Sequence, residues 1–383
     1  MKNQVQEYLM AVSLMYECSE HSPVTSLEIR CVKCRSNRIQ EFIRKKYLVK
    51  YSHICSTSVE KTLYKYEKFR KWVKNMITEK ETEFQKENED VPGFLKSLRI
   101  LAVSRGEAMS IWSWNTFMAC MIAGRGSPPL VPTVLSTAAV VFITLSVYLY
   151  NDFTDINTDK MNSLKRNRPL PRQRVSRTNA LRTVLLSGVL GLTLALFVSG
   201  YSFLFALLHF SLFIVYSFPE IRLKRKFLFK ELIIALGIPL TGLVGIYAVA
   251  NVFSVHAFFA CIVFAVFTYT GQPVLTDSTD IEEDRQTGVS SLATKLSWQR
   301  RVHVLIVGTV IVMVVIPLTY RVFGFNTALP VYAVVGGLVF LWAVMPMLTT
   351  FEERLVIKAK KIAYVYFVLL QVFFVIGSLE IHF

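Results

Sequence analysis

Nine apolar windows recur at close intervals beyond residue 100, at about 108–124, 130–150, 180–200, 202–218, 231–251, 254–276, 302–320, 326–349 and 361–380. Each is close to the roughly 20 residues that an α-helix needs to cross a bilayer. An open sheet leaves its edge N–H and C=O groups unpaired in lipid, so helices are the default. The chain is therefore expected to be all-α, a polytopic membrane bundle of nine transmembrane helices. Composition agrees: 53% of residues are hydrophobic and only 18% charged, against about a quarter charged in soluble domains. Aromatic residues at 13% exclude wholesale disorder, and six Cys in 383 residues are too few for a disulfide scaffold.

The charge pattern tests this count. The chain carries 43 Lys+Arg against 27 Asp+Glu, a net of +16. In a soluble chain such an excess would suggest nucleic acid, but in an apolar one it belongs to the cytoplasmic loops, and no nucleic-acid partner is expected. With the N-terminus in the cytoplasm, the loop 151–179 holds Lys160, Lys165, Arg166, Arg168, Arg172, Arg174 and Arg177. On the same side, 219–230 holds Arg222, Lys224, Arg225, Lys226 and Lys230, and two later loops carry eight more Lys/Arg. The opposite side keeps only Arg125 and Arg321. This is the asymmetry that cytoplasmic loops show.

Residues 1–96 read differently. They contain no spanning stretch, and from Asn37 to Glu89 they are polar, rich in Lys and Glu, and free of Pro and Gly. They are expected to form a soluble, helical, cytoplasmic extension whose Lys61–Lys74 part suits an anionic membrane surface. Pro92-Gly93 marks the break before the membrane domain at 97–383. Cys31-Val-Lys-Cys34 could contribute to a zinc site, but a single CxxC without a second pair favours free thiols.

The acids of the membrane part are concentrated. All six Asp beyond residue 100 fall in two clusters, Asp152, Asp155 and Asp159, then Asp277, Asp280 and Asp284. Each cluster begins where an apolar window reaches the cytoplasmic side. Helical spacing puts Asn151, Asp155 and Asp159 on one face with Asp152 at its edge, and puts Asp277, Asp280 and Asp284 on another. Two carboxylate faces at one depth repel unless cations lie between them. Mg²⁺ takes one or two carboxylates together with substrate phosphates, so this pattern is a candidate diphosphate site. The plain alternative is an acidic solvated loop, but ionisable groups at bundle depth are costly to keep without a use.

Asn151-Asp-Phe-Thr-Asp155-Ile-Asn-Thr-Asp159, followed by Arg168-Pro-Leu-Pro, resembles the first signature of the UbiA superfamily of intramembrane prenyltransferases. Asp277-Ser-Thr-Asp280-Ile-Glu-Glu-Asp284-Arg285, followed by Gly288, is similar to the second. Tyr216-Ser-Phe-Pro219, leading into Arg222-Leu-Lys224, resembles the segment between them. The resemblance covers about residues 97–383. It implies that Asn151, Asp152, Asp155, Asp159, Asp277, Asp280 and Asp284 hold Mg²⁺, with Asp152 as a ligand or as support behind one. It implies that Arg168, Arg222 and Lys224, backed by Arg166 and Arg225, neutralise the diphosphate of an isoprenyl donor. Tyr216 can steady a carbocation or merely mark the membrane interface. Arg105 lies where family members carry a basic residue, although Ser104-Arg-Gly-Glu107 lacks the usual Arg-Pro pair.

The implied reaction moves a prenyl group to an aromatic acceptor of quinone-precursor type or to a lipid hydroxyl, and the sequence does not choose between them. A terpene cyclase using the same diphosphate site without an acceptor is an alternative within the class. Outside it, a non-enzymatic membrane transporter is the alternative, since buried carboxylates also serve cation paths. Inverted repeats would favour the transporter. Both Asp clusters instead fall on one side, which speaks against inverted halves.

Overall fold

The computed structural model describes residues 92–162, 165–286 and 288–379. The extension at 1–91, with its Cys31/Cys34 pair and Lys61–Lys74 stretch, lies outside them. Among the described residues the regular structure is helical throughout. The helices are α1 Phe94–Ser104, α2 Gly106–Ala123, α3 Leu130–Met161, α4 Arg177–Val198, α5 Gly200–Ser217 and α6 Phe229–Ala250. They continue as α7 Val255–Leu275, α8 Ile281–Gln286, α9 Leu292–Lys295, α10 Trp298–Thr319, α11 Ala328–Val344 and α12 Glu353–Ser378.

Each of the nine apolar windows is a helix. Eight of these, α3 to α7 and α10 to α12, are long and apolar enough to cross a membrane, α11 being extended by a 3-10 turn to Leu348. They are apolar on the outside as well as the inside: Leu185, Val189, Phe197, Val307, Leu318 and Trp342 are all more than half exposed. A soluble protein rarely shows so much apolar surface, whereas lipid favours it.

The remaining window, the first in the chain, is α2, which has 18 residues and carries Ser113, Asn115 and Thr116 on buried positions. Its polarity is spent on neighbours. Asn115 donates to the Ile238 carbonyl at 2.9 Å and to Thr241 Oγ1 at 3.0 Å; Thr116 donates to the Thr241 carbonyl at 3.1 Å. The partner helix α6 makes room with glycines. A Cβ at Gly237 would stand 2.5 Å from the Trp112 ring, and one at Gly245 would stand 2.5 Å from the Thr116 carbonyl oxygen. Small residues allow helix backbones this close, where side-chain-to-backbone bonds then form. A helix so enclosed can be less apolar than its lipid-facing neighbours.

Two clusters of buried apolar residues hold the helices together. The larger buries Phe267, Phe340, Tyr366 and Phe374 between α7, α11 and α12. The smaller joins Leu101 of α1, Leu145, Leu149 and Ile156 of α3, and Val184 of α4 to Leu170 and Val175 from the α3–α4 loop. That loop is therefore anchored by its own apolar residues, which holds Arg168 in place beneath the end of α3.

Candidate active site

Helix α3 does not stop where its apolar window ends. It runs on to Met161, and the Asp cluster rides on this extension as the four-residue steps predict. Asn151, Asp155 and Asp159 line a cavity of ≈ 880 Å³. Asp152 does not; it is 3% exposed and turned behind the others. There it takes Arg105 Nε at 2.7 Å and Arg168 Nη1 at 3.2 Å, and Arg168 also reaches Asp159 at 3.0 Å. Asp152 thus steers two guanidinium groups rather than facing the cavity. Burial, with Arg168 nearby, pushes the Arg105 guanidinium down to about 10.

The opposite wall comes from the α5–α6 connection. Ser217, the last residue of α5, donates to Asn151 Oδ1 at 2.8 Å. Arg222 follows in the left-handed region, at φ 44° and ψ 56°. A non-glycine residue there costs on the order of 1 kcal/mol. Its backbone N–H is held by the Phe218 carbonyl at 2.7 Å, and its side chain by Asp155 Oδ1 at 2.8 Å. Lys224 bridges Asn151, at 2.9 Å, and Asp155 Oδ2. Burial lowers the Lys224 ammonium from its ordinary value, against the pull of Asp155.

The second cluster departs from the expected single helical face. Helix α7 ends at Leu275, Asp277 opens a 3-10 turn, and Asp284 sits on the separate short helix α8. Pro273 lacks an N–H in the last turn of α7, and the chain bends at Thr276, with φ −120° and ψ −47°. The carboxylates still converge, because Lys230 Nζ of α6 lies 3.1 Å from Asp277 Oδ2 and 2.6 Å from Asp284 Oδ2. Burial raises the Asp277 carboxyl, with Lys230 opposing the rise. Gly288, at φ 74°, then turns the chain so that the Ser290 N–H meets the Arg225 carbonyl at 3.0 Å. Only glycine adopts that conformation at little cost.

The two clusters face one cavity and are joined across it. Lys165, from the loop after α3, reaches Asp280 at 3.1 Å. Asp277, Asp280, Asp284, Arg105, Arg168, Arg222, Lys224 and Arg225 line the same space as the first cluster. Arg166 is exposed and does not line it. Tyr216 lines the apolar part, its ring 6.1 Å from that of Phe213. Trp112, Tyr148, Phe264 and Phe267 continue that wall, so one end of the space is ionic and the rest aromatic.

Sequence reading missed Lys165, Lys230, Ser217 and Tyr148. A Lys in the first turn of an apolar helix is itself a signal, because lipid depth demands an acidic partner. Lys165 and Ser217 carry no such mark in one dimension. Neighbouring Glu231, fully buried, is turned away and accepts the Leu292 N–H at 2.6 Å.

Among the described residues no three His, Cys, Asp or Glu side chains gather closely enough to hold a metal ion by themselves. The donor set nevertheless fits Mg²⁺, which keeps waters and combines one or two carboxylates with phosphate oxygens. Carboxylates on two facing walls, each with a cation beside it, suit an ion that arrives together with a diphosphate.

The sequence profile of the UbiA prenyltransferase family matches residues 113–373. Digeranylgeranylglyceryl phosphate synthase from Methanococcus aeolicus is 26% identical over 268 residues, which cover 70% of this chain and 92% of that protein. Among solved structures, one reported for the biosynthesis of digeranylgeranylglyceryl phosphate synthase in membranes superposes with a TM-score of 0.59 and 20% identity, over 75% of this chain and 99% of that one. A UbiA homologue from Archaeoglobus fulgidus bound to GPP and Mg²⁺ gives 0.54 and 16%, over 71% and 98%. These structural likenesses establish a common fold.

Proposed function

Because the chain belongs to the UbiA prenyltransferase family, an intramembrane enzyme class, we propose that it transfers a polyprenyl group from an isoprenyl diphosphate to a hydroxyl of a glyceryl phosphate lipid. The transporter alternative falls with that membership. The observation that carries the reading is the pairing of both Asp clusters with Lys and Arg at the ionic end of one otherwise aromatic cavity. The lipid hydroxyl, rather than an aromatic ring, is favoured by the name of the Methanococcus aeolicus relative, which matches over nearly its whole length. Both clusters lie on the cytoplasmic side in this reading, supported by the basic loops around them.

Asn151, Asp155, Asp159, Asp277, Asp280 and Asp284 would hold Mg²⁺, which on binding neutralises the diphosphate and weakens its bond to carbon. Arg168, Arg222 and Lys224, with Arg225 beside them, take the diphosphate oxygens as charge develops there. Asp152 holds Arg105 and Arg168 for that task. The bond from the donor carbon to the diphosphate breaks with its electron pair on oxygen, the acceptor oxygen forms the new ether bond, and the hydroxyl proton passes to the departing diphosphate. Tyr216, Phe213 and Phe264 line the apolar part, keep water from the allylic cation and offer it ring faces.

The test is purified protein in lipid nanodiscs with farnesyl or geranylgeranyl diphosphate, Mg²⁺ and a panel of acceptors, with products read by mass. Asp155→Ala and Asp277→Ala are each expected to abolish Mg²⁺-dependent release of diphosphate. Undiminished release in both variants would sink the proposal.

A further inference from the structure

The cations around the cavity fall into two sets. Arg105, Lys165, Arg168, Arg222, Lys224 and Lys230 each pair with an Asp of the two clusters. Among the described residues two lining cations form no such pair: Arg225, which belongs to the α5–α6 connection with Arg222 and Lys224, and Lys360 of α12. Lys360 is half-buried and lines the cavity, and its Nζ lies 5.8 Å from the centre of the Tyr364 ring. One turn along, the Tyr364 hydroxyl donates to Glu107 Oε1 of α2 at 3.0 Å. Nearby Lys358 and Lys361 are exposed, and Lys358 lies over the outward-facing Trp342 at 5.3 Å. The preference for basic residues on one side of the membrane accounts for those two. It does not account for an ammonium that lines the cavity and, among the described residues, forms no ion pair with a carboxylate.

Position says which ligand. The diphosphate cations come from α1–α2, the α3–α4 loop, the α5–α6 loop and the start of α6. Helix α12 packs on α2, α7 and α11, whereas α3 packs on α2, α4, α5 and α6. Lys360 therefore reaches the cavity from a helix that itself carries none of the cations assigned to the donor. An acceptor must come from such a side to present its oxygen to the donor carbon. An acidic acceptor must also be drawn away from the carboxylates.

We propose that Lys360 is the anion subsite for the acceptor: its ammonium takes a phosphate or carboxylate oxygen, while Tyr364, held by Glu107, lies along the acceptor body. The proposal rests on the prenyl-transfer reading above and names the side chain that meets the anionic group of the acceptor. A monoprenyl glyceryl phosphate and a hydroxybenzoate both offer that chemistry.

The test uses the full chain in nanodiscs with Mg²⁺ and saturating geranylgeranyl diphosphate. The acceptor probes are geranylgeranylglyceryl phosphate and 4-hydroxybenzoate, each beside its uncharged counterpart, geranylgeranylglycerol and methyl 4-hydroxybenzoate. The charged probe that wild type consumes separates the phosphate source from the carboxylate source. Lys360→Gln is expected to raise the KM for that probe about tenfold, the loss of one charge-assisted hydrogen bond. The KM for the donor and for the uncharged counterpart should stay put, and Lys360→Arg should recover most of the loss. Donor KM also reports folding, with Lys360→Met as a second variant. An unchanged KM for the charged probe, an equal rise for charged and uncharged probes, or a rise in donor KM overturns the subsite. So does a wild type that consumes neither charged probe; continued Mg²⁺-dependent diphosphate release would then leave the prenyltransferase reading standing. Absence of any such release would overturn that reading itself.

Discussion

Asp152 and Asp155 stand three residues apart on one helix, yet they face different partners. Asp155 meets the cavity, whereas Asp152 lies behind it between Arg105 and Arg168. Asp152→Asn keeps the shape and removes the charge that aligns two arginines. We expect a several-fold rise in donor KM and a stability loss of about 3 kcal/mol, the low end for a pair buried on one side, read by kinetics and thermal unfolding. Lys230→Met should act more severely on the fold. It strands two nearly buried carboxylates, and about 3–5 kcal/mol is expected to be lost without metal. Added Mg²⁺ should recover part of it in a thermal melt, because the ion supplies the missing positive charge; equal melting with and without Mg²⁺ would count against Asp277 and Asp284 as its ligands. At this scale the sequence displayed the acids and the cations of the first cluster, but not Lys165 and Lys230, which pair with the second. Asp clusters repeat over a few residues and so are visible in one dimension, while Lys230 and Asp284 are 54 residues apart and meet only through the fold.

Helices were legible where a single property ran along them. The nine windows each became a helix because an apolar run in lipid has no other way to satisfy its backbone. The polar face of α2 and the break after α7 were less visible, since both depend on what lies alongside. Asn115 and Thr116 are tolerable only because α6 presents carbonyls within reach, and that reach depends on glycine. Gly245→Ala should therefore push α2 off α6, costing about 1–3 kcal/mol as an overpacked contact. Gly288→Ala meets no atom within 4 Å, so its cost should come from the positive φ alone, about 1 kcal/mol. Chemical or thermal unfolding of the two variants distinguishes a crowded site from a strained one. The second Asp motif shows the limit of spacing arguments: three- and four-residue steps described a face, and the chain delivered the same convergence through a turn and a short separate helix.

The whole bundle sets one ionic end against an aromatic interior, and its orientation can be checked directly. Cys introduced at Arg172 or at Arg321, both exposed, in a Cys-free background should react with an impermeant maleimide from opposite faces of sealed vesicles. Labelling of both from the same face would refute the arrangement that places the acids toward the cytoplasm. The six Asp of the bundle each already rest against an ammonium or guanidinium. A pyrophosphate entering alone would confront acids, and a dication entering alone would dislodge amines that have nowhere to turn. As a couple of much reduced net charge, the two instead swap counterions with the walls at less electrostatic expense. Each must then tighten the other's grip by one common factor, which calorimetric titration of Mg²⁺ with and without pyrophosphate would read, and the spent leaving group departs more readily with its ion than stripped of it.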